Sequence, residues 1–375
     1  MSDREKLRIG IIGCGVGVLH LEGFAEDPRV QVVAIAGLDS DRCQELATRF
    51  HVPKVYRDYQ DLLADPDIDA VTVAVPNHLH APVTIAALEA GKHAMVEKPL
   101  ARNSAEGESM IEAARRTGRV LGVSFNRRGR QDVQIVKREV ERGNLGAMYH
   151  ARAFWMRRSG IPGLGTWFTT KDMAGGGALI DIGIHVLDMA LWTLGNPTPR
   201  RVSAAVYAKL GPQGRGQWRG GRFPVIPGQA FEVDDFTTAF IRFDGELTLQ
   251  LDAGWAAYTG HGDEFGISLL GDRGGAEIHA KDYAQVGTLK LFGEIDGAPT
   301  VTEPQLLHRP GHSEVFKWFV DSVLDGVPMS PSGAEGLDRV RLIEAIYRSA
   351  ALGQEVDVEE SRTESAASSA TGVSA

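Results

Sequence analysis

Short apolar runs alternate with helical patterns over the first third of the chain. Such alternation is typical of β-α-β units, in which the parallel strands are buried on both faces and lack polar alternation. Asn103 and Glu106 fit the start of one helix, and Gly118 fits its end. The apolar runs predict six strands, at 7–12, 30–36, near Val55, and at 70–75, 94–97 and 120–124.

The pattern changes after Asn126, where a predicted helix over 133–142 is followed mainly by segments in which every second residue is apolar. This period is typical of antiparallel strands with one buried face. Strands are predicted at 147–155, 202–207, 236–243, 247–253, 265–270, 276–279 and 288–292, and further helices at 177–194, 313–324 and 333–352.

These elements predict an α/β protein with two domains. Residues 1–125 would form a doubly wound parallel sheet, and residues 126–358 an α+β domain with a large, mostly antiparallel open sheet. The tail over 359–375 is rich in Ser, Ala and Glu, a composition typical of disorder.

Length and charge narrow the class of protein. The 375 residues are more than twice the roughly 150 residues of an average domain, which agrees with two domains. A formal net charge of -9 argues against a nucleic-acid-binding surface and against attraction to anionic membranes. The long apolar run over 178–195 carries Asp181, His185 and Asp188, which are costly in hydrocarbon, so no membrane span is expected.

Cys14 and Cys43 are the two cysteines of the chain. Two are too few for a disulfide framework, and their spacing is not that of a zinc site. The apolar stretch before Cys14 is also too short for a signal peptide. We therefore expect a reducing compartment and a cytoplasmic location.

A glycine-rich loop follows the first predicted strand, in the stretch RIGIIGCGVGVLHLEGF. Gly13 permits a tight turn, and Gly15 lets the backbone approach a pyrophosphate at the N-terminus of the next helix. The third glycine of a GxGxxG motif would fall at Val18, but here it is Gly17, one residue earlier. We expect Gly13, Gly15, Val16 and Gly17 to bind a dinucleotide on a Rossmann domain, whereas an ordinary glycine-rich turn is the alternative.

The second predicted strand ends in AGLDSDR. Gly37 occupies the position where an aspartate that hydrogen-bonds the adenosine ribose is commonest. Asp39 is the nearest acidic residue that could take over this hydrogen bond. A carboxylate there would repel a 2′-phosphate, which favours NAD, although the nearby Arg42 leaves NADP possible.

Polar residues also follow the fourth and fifth predicted strands, whose carboxyl ends face the ligand crevice of an open parallel sheet. The polar residues at these strand ends are Asn77, His80, Glu97 and Lys98, and Pro76 beside Asn77 is a further candidate contact with the cofactor. An ammonium group at Lys98 suits hydrogen bonding or proton transfer to a substrate oxygen, and a surface Glu-Lys pair is the alternative. His78 and His80 form an HxH pair without a third ligand nearby in sequence, so we expect no metal.

The predicted helix over 177–194 carries a candidate acid-base pair. Asp181 and His185 are four residues apart and would share one helix face, where the carboxylate would orient and stabilise a protonated imidazole. A solvated helix face is the alternative. The preceding AGGG, residues 174–177, allows close approach of a ligand, although a structural need for glycine explains it equally well.

Taken together, GCGVG, PNHLHAP, EKPLA, FNRR and GGGALIDIGIHVLD resemble the motifs of the glucose–fructose oxidoreductase, inositol dehydrogenase and rhizopine catabolism (Gfo/Idh/MocA) family. The resemblance implies an NAD(P)-dependent oxidoreductase that transfers a hydride between nicotinamide and a secondary hydroxyl or ketone of a sugar, inositol or related polyol. It implies that Lys98, Asp181 and His185 are catalytic, with His185 as the general base. Asn126 and Trp167 match positions that contact cofactor or substrate.

The resemblance also implies a homodimer or homotetramer formed through the open face of the second-domain sheet. An NAD-dependent glycosidase that oxidises its substrate transiently is one alternative activity, distinguished by turnover without net NADH. A non-catalytic dinucleotide-sensing regulator is the other, and the three matching catalytic residues argue against it.

The stretch over 211–228 is rich in Gly and Arg, with Arg215, Arg219 and Arg222 within it. These side chains are long enough to reach a phosphate or to shield a site. In an acidic protein, a mobile surface loop is the favoured interpretation over a nucleic-acid-binding tract.

Overall fold

The computed structural model describes residues 6–218, 225–226, 228, 230–260, 262–307 and 311–358. The chain divides into two compact units, Met1–Gly129 with Pro310–Val340 and Arg130–Arg309 with Arg341–Ala375. Arg219 and Arg222 of the Gly/Arg-rich stretch and the tail over 359–375 lie outside the described residues.

The first unit contains a six-stranded parallel sheet. Its strands are β1 (Leu7–Ile12), β2 (Val30–Ala36), β3 (Lys54–Tyr56), β4 (Ala70–Val73), β5 (His93–Glu97) and β6 (Leu121–Ser124). Their order across the sheet is β3-β2-β1-β4-β5-β6, that of a Rossmann fold. The order reverses between β1 and β4, so the carboxyl ends of these strands border a crevice suited to a dinucleotide. The doubly wound parallel sheet is confirmed.

Helices connect the strands at positions that local sequence explains. Asn103 accepts a hydrogen bond from the Glu106 backbone N–H, and Gly118 ends the same helix with φ of 64°, as expected. The helices are α1 (Gly17–Phe24), α2 (Ser40–Phe50), α3 (Tyr59–Ala64), α4 (His80–Glu89), α5 (Ser104–Thr117), α6 (Gln131–Glu141), α7 (Lys171–Ala174), α8 (Ile184–Thr193), α9 (Gly311–Asp325) and α10 (Gly333–Leu352).

The second unit contains a nine-stranded sheet. Its strands are β7 (Met148–Arg157), β8 (Pro199–Tyr207), β9 (Phe236–Phe243), β10 (Thr248–Gly254), β11 (Asp263–Gly271), β12 (Gly275–Lys281), β13 (Leu289–Ile295), β14 (Ala298–Thr302) and β15 (Val356–Asp357). The order is β14-β13-β12-β11-β7-β10-β9-β8-β15. Neighbours are antiparallel except β7 and β10, which run parallel, so the mostly antiparallel sheet is confirmed. The edge strands β14 and β15 were not predicted.

Helix α9 belongs to the first unit, whereas its place late in the chain suggested the second domain. Phe316 of α9 stacks on Phe24 of α1 with ring centroids 4.7 Å apart. A Cβ on Gly23 would lie 2.4 Å from the Phe316 ring, so glycine is needed for this close packing. Burial of these aromatic rings, rather than chain order, fixes where α9 packs.

A helical stretch over Lys171–Thr193 is long and apolar enough in composition to cross a membrane. However, 89% of its most apolar window is buried inside the structure, as in the core helix of a soluble protein. Length and composition alone make one such helix weak evidence for a membrane span.

Cys14 and Cys43 form a disulfide, which the sequence did not predict. Cys14 follows β1 and Cys43 lies in α2, and their Cα atoms are 5.8 Å apart. The pairing of the adjacent strands β1 and β2 brings these two segments together, a proximity that spacing rules do not detect. Since both cysteines are paired, cysteine usage no longer argues for a reducing compartment.

We expect loss of this disulfide to destabilise the fold. Its sequence separation of 29 residues corresponds to roughly 3 to 4 kcal/mol of unfolding free energy in the chain-entropy account. Urea unfolding of a Cys14→Ser/Cys43→Ser variant, without reductant, should show a lower midpoint than the wild type. With reductant, the two midpoints should converge. Equal midpoints without reductant would contradict a stabilising bridge.

Candidate active site

The glycine loop after β1 combines a tight turn with an open backbone. Gly13 has φ of +109°, and a Cβ there would lie 2.2 Å from the Ala74 carbonyl oxygen. A Cβ on Gly17 would lie 3.1 Å from Ile11, so the early third glycine permits close packing of α1 on β1. At Gly15 a Cβ would meet no atom within 4 Å, so this backbone is open to a ligand.

No side chain caps the start of α1, where Val16 is the preceding residue and is 36% exposed. The first backbone N–H groups of a helix lack intrahelical acceptors and carry the positive end of its dipole. The loop therefore fits the pyrophosphate of a dinucleotide.

The disulfide explains the absence of an acidic residue at Gly37. A Cβ on Gly37 would lie 2.6 Å from the Cys14 sulfur and 2.8 Å from the Cys43 sulfur, so any larger side chain would collide with the bridge. The exposed Asp39 lies two residues later and caps α2 by accepting a hydrogen bond from the Arg42 N–H at 3.0 Å. The Arg42 guanidinium pairs with Glu45 at 2.7 Å.

His80 connects the segments that follow β4 and β5. Its Nδ1 lies 2.7 Å from the Pro99 carbonyl oxygen, and its Nε2 lies 2.9 Å from that of Val75. Burial lowers the pKa of this imidazole, although the two carbonyl groups oppose the shift. Its ring nitrogens are thus engaged by the backbone, and the ring holds the turn that contains Lys98. The buried Asn77 follows Pro76 and begins a short 3₁₀ turn.

Glu97 is a buried carboxylate paired with a histidine that sequence reasoning missed. His20 of α1 is fully buried, and its Nε2 lies 2.9 Å from Glu97 Oε1. Burial alone would raise the pKa of Glu97, but the hydrogen bond and charge of His20, with the charge of Lys98, lower it to about 2. The backbone N–H of Lys98 donates to Glu97 Oε2 at 3.3 Å. A negative charge is therefore held beside Lys98.

Asn126 lies directly after β6 and contacts a second histidine that the sequence did not reveal. Its Nδ2 donates to His312 Nε2 of α9 at 2.6 Å. Burial lowers the pKa of His312 to about 4, so the imidazole is neutral and accepts this bond. Within the described part of the chain, the buried Asn126 Oδ1 has no hydrogen-bond partner. This acceptor fits an amide donor such as the nicotinamide carboxamide.

In the second unit, Asp181 lies in a π-helical turn, Leu179–Gly183, which continues into α8. The indole N–H of Trp255 donates to Asp181 Oδ2 at 2.9 Å. His185 is 8% exposed, and its ring centroid is 5.6 Å from that of Trp155. Asp188 is fully buried. Burial of His185 and Asp188 contradicts the alternative of a solvated helix face at these two residues, whereas Asp181 is half-buried. π-Helical turns are frequent at functional sites.

The glycines before this turn are required by packing. A Cβ on Gly176 would lie 2.2 Å from the Tyr347 hydroxyl oxygen, and a Cβ on Gly177 would lie 1.9 Å from the Asp234 carbonyl oxygen. The structural explanation of AGGG thus suffices. Trp167 begins a 3₁₀ turn in the same unit, with its ring 3.8 Å from that of Phe168.

The structure also describes Arg215 of the Gly/Arg-rich stretch, and it allows a search for a metal site. The exposed Arg215 lies 3.5 Å from the Tyr258 hydroxyl. Among the described residues, no group of three or more His, Cys, Asp or Glu side chains is arranged to hold a metal ion.

The structure places Lys98, Asn126 and the glycine loop in the first unit, and Asp181, His185 and Trp167 in the second.

Comparison with known proteins agrees with this division of the chain. Residues 7–125 match a family model described as an oxidoreductase family with an NAD-binding Rossmann fold. Residues 133–277 match a GFO/IDH/MocA C-terminal domain.

Similar proteins match along most of their length. D-glucoside 3-dehydrogenase of Escherichia coli is 30% identical over 354 residues, which cover 94% of this chain and 97% of that protein. Myo-inositol 2-dehydrogenase of Thermotoga maritima is 27% identical and covers 94% and 99%. The solved structure of a levoglucosan dehydrogenase in complex with NADH and L-sorbose has a TM-score of 0.83 at 28% identity, covering 94% and 99%.

Proposed function

Because this chain belongs to the Gfo/Idh/MocA family of NAD-dependent oxidoreductases, we propose that it interconverts a secondary hydroxyl and a ketone on a cyclic sugar or related polyol. The observation that carries this proposal is the burial of His185, together with the hydrogen bond that the Asp181 carboxylate accepts from the Trp255 indole; both residues match the family's catalytic motif. The named relatives act on glucosides, levoglucosan and myo-inositol, which all present ring hydroxyls.

The first unit supplies the groups that fit NAD. Gly13, Gly15, Val16 and Gly17 provide the open backbone and helix N-terminus for the pyrophosphate, and Asp39 is our candidate for the adenosine ribose. When bound, NAD supplies the carbon that accepts the hydride. The orphan acceptor of Asn126 suits the carboxamide, and the segments around Pro76, Asn77, His80 and Glu97 border the same end of the sheet.

We assign the proton chemistry to three residues. During oxidation, His185 takes the proton of the substrate hydroxyl, while the carbon that bears this hydroxyl loses a hydride to NAD. Asp181 orients the imidazole or a neighbouring hydroxyl, and Lys98 donates a hydrogen bond to the reacting oxygen. Trp167 is assigned a contact with substrate or cofactor.

We also propose a homodimer or homotetramer that uses the open face of the second-unit sheet. Residues of that face on β7 and β9 include Phe154 and Phe240, beside Arg152 and Arg242, with rings and guanidinium groups in contact. Such a mixture of aromatic and arginine side chains is typical of protein interfaces. A cytoplasmic location stays a prediction.

The proposed reaction is tested with a panel of glycosides, anhydrosugars, inositols and sugar phosphates, each followed by NADH absorbance. At least one cyclic polyol should produce NADH in proportion to ketone formed. Hydrolysis of a glycoside without net NADH would overturn the proposal in favour of a glycosidase. NADH binding without turnover of any substrate would favour a regulator.

We expect the protein to bind NADH more tightly than NADPH, because the Asp39 carboxylate would repel a 2′-phosphate and Arg42 is engaged by Glu45. Fluorescence titration with both dinucleotides measures this preference. Asp39→Ala should narrow the gap between the two affinities, whereas Asp41→Ala, in the first turn of α2, is the matched control. Equal affinities in the wild type would remove Asp39 from this role.

A further inference from the structure

We propose that Trp255 is a positioning residue that fixes the Asp181 carboxylate for the reaction. The inference rests on the proposed function, because it takes Asp181 to be catalytic. Trp255 is fully buried, directly follows β10, and donates its indole N–H to Asp181 Oδ2 at 2.9 Å. A buried indole can only donate, so its orientation is set by the acceptor that it finds.

The backbone around Trp255 is held firmly. The backbone N–H of Trp255 donates to the Asp235 carbonyl oxygen at 2.9 Å, and Gly254 pairs with Phe236 where β9 and β10 meet. The Asp235 carboxylate, 1% exposed, accepts three backbone N–H groups at 2.6 to 2.9 Å, from Lys209, Leu210 and Gly211. Residues 234–236 and 254–255 thus form a rigid corner between β9 and β10, from which the indole projects.

The same corner also holds the start of the π-helical turn. The buried Asp234 carboxylate accepts the backbone N–H groups of Gly177 at 2.7 Å and Leu179 at 2.9 Å. The hydroxyls of Thr237 and Tyr347 donate to it as well. Asp234 thus fixes the backbone that carries Asp181, and Trp255 fixes its side chain.

These contacts give the indole a role that a purely apolar ring would lack. A donor on one carboxylate oxygen sets the plane of the group and stabilises its ionised form. The π-helical turn packs closely on β10, since a Cβ on Gly183 would lie 2.9 Å from the Ala253 side chain. Little backbone movement is available to restore the orientation if the indole N–H is lost.

Trp255→Phe keeps an aromatic ring but removes the N–H donor. We expect kcat to fall about tenfold, the effect of one lost hydrogen bond to a charged group, while NADH affinity changes by less than about twofold. In an Asp181→Asn background the added Trp255→Phe should change kcat by less than about twofold, since Trp255 acts through the carboxylate. Trp192→Phe, the same change at a partly exposed site in α8, should leave kcat unchanged relative to the parent protein in each of the two backgrounds.

The outcomes separate this inference from the proposed function. An equal fall in kcat caused by Trp255→Phe in both backgrounds would show a purely structural role and overturn the inference. Wild-type kcat in Trp255→Phe, beside an impaired Asp181→Asn, would overturn the inference alone. Wild-type kcat in Asp181→Asn would overturn the role of Asp181 and this inference with it. If Trp255→Phe does not fold, Trp255→Met makes the same test with a side chain that adapts to the space.

Discussion

His185→Ala is expected to lower kcat by at least about a hundredfold, the usual contribution of a general base. His185 is almost fully buried beside the Trp155 ring, so water has little access to replace the imidazole. Since His185 lies outside the NAD-binding unit, NADH affinity should stay within severalfold of the wild type. Steady-state kinetics on the best substrate of the panel, with NADH titration, measures both quantities.

The pH profile provides a second readout for His185. The acid limb of kcat/KM should flatten in His185→Ala, because the base whose protonation causes that limb is gone. His150→Ala is a matched control, since His150 lies in β7 of the same unit and bonds Thr248 instead. Wild-type turnover in His185→Ala would eliminate the histidine as the base.

Lys98→Met is expected to lower kcat by a similar factor of at least about a hundredfold. Methionine keeps an unbranched chain but removes the ammonium group. The buried, ionised Glu97 stays next to it, so the variant leaves an acidic site without its cation. Repulsion of an oxygen that gains negative charge adds to the loss of the donor.

The controls for Lys98 separate chemistry from folding. Lys317→Met removes a surface ammonium that pairs with Asp321 in α9 of the same unit, and it should leave kcat unchanged. NADH affinity of Lys98→Met should remain within severalfold of the wild type. Turnover at the wild-type rate would exclude Lys98 from the reaction.

Much of the fold is predictable from local sequence. The predicted strands at 7–12, 30–36 and 236–243 and the helix at 333–352 agree residue for residue with β1, β2, β9 and α10. These segments have strong apolar patterns that tertiary contacts reinforce. The glycine loop is equally local, because a strand, a turn and a helix follow one another within a few residues.

Features set by distant residues were not predictable. His20 and His312 meet Glu97 and Asn126 across long stretches of chain, and no local pattern distinguishes them from ordinary core histidines. The hydrogen bond from Trp255 to Asp181 likewise joins residues 74 positions apart. The π-helical turn replaces the α-helix that periodicity indicated, since apolar spacing does not distinguish the two over one turn.

The sulfur bridge beneath Gly37 constrains how this protein can evolve. The Cβ of any side chain at position 37 would collide with both sulfurs, so Gly37→Asp is compatible with the fold only after Cys14 and Cys43 are replaced by smaller residues. The three positions are therefore epistatic, and the order in which their codons change matters. A lineage that keeps the disulfide must change its dinucleotide preference at other positions. A protein engineer who introduces the common aspartate at position 37 must first remove the disulfide.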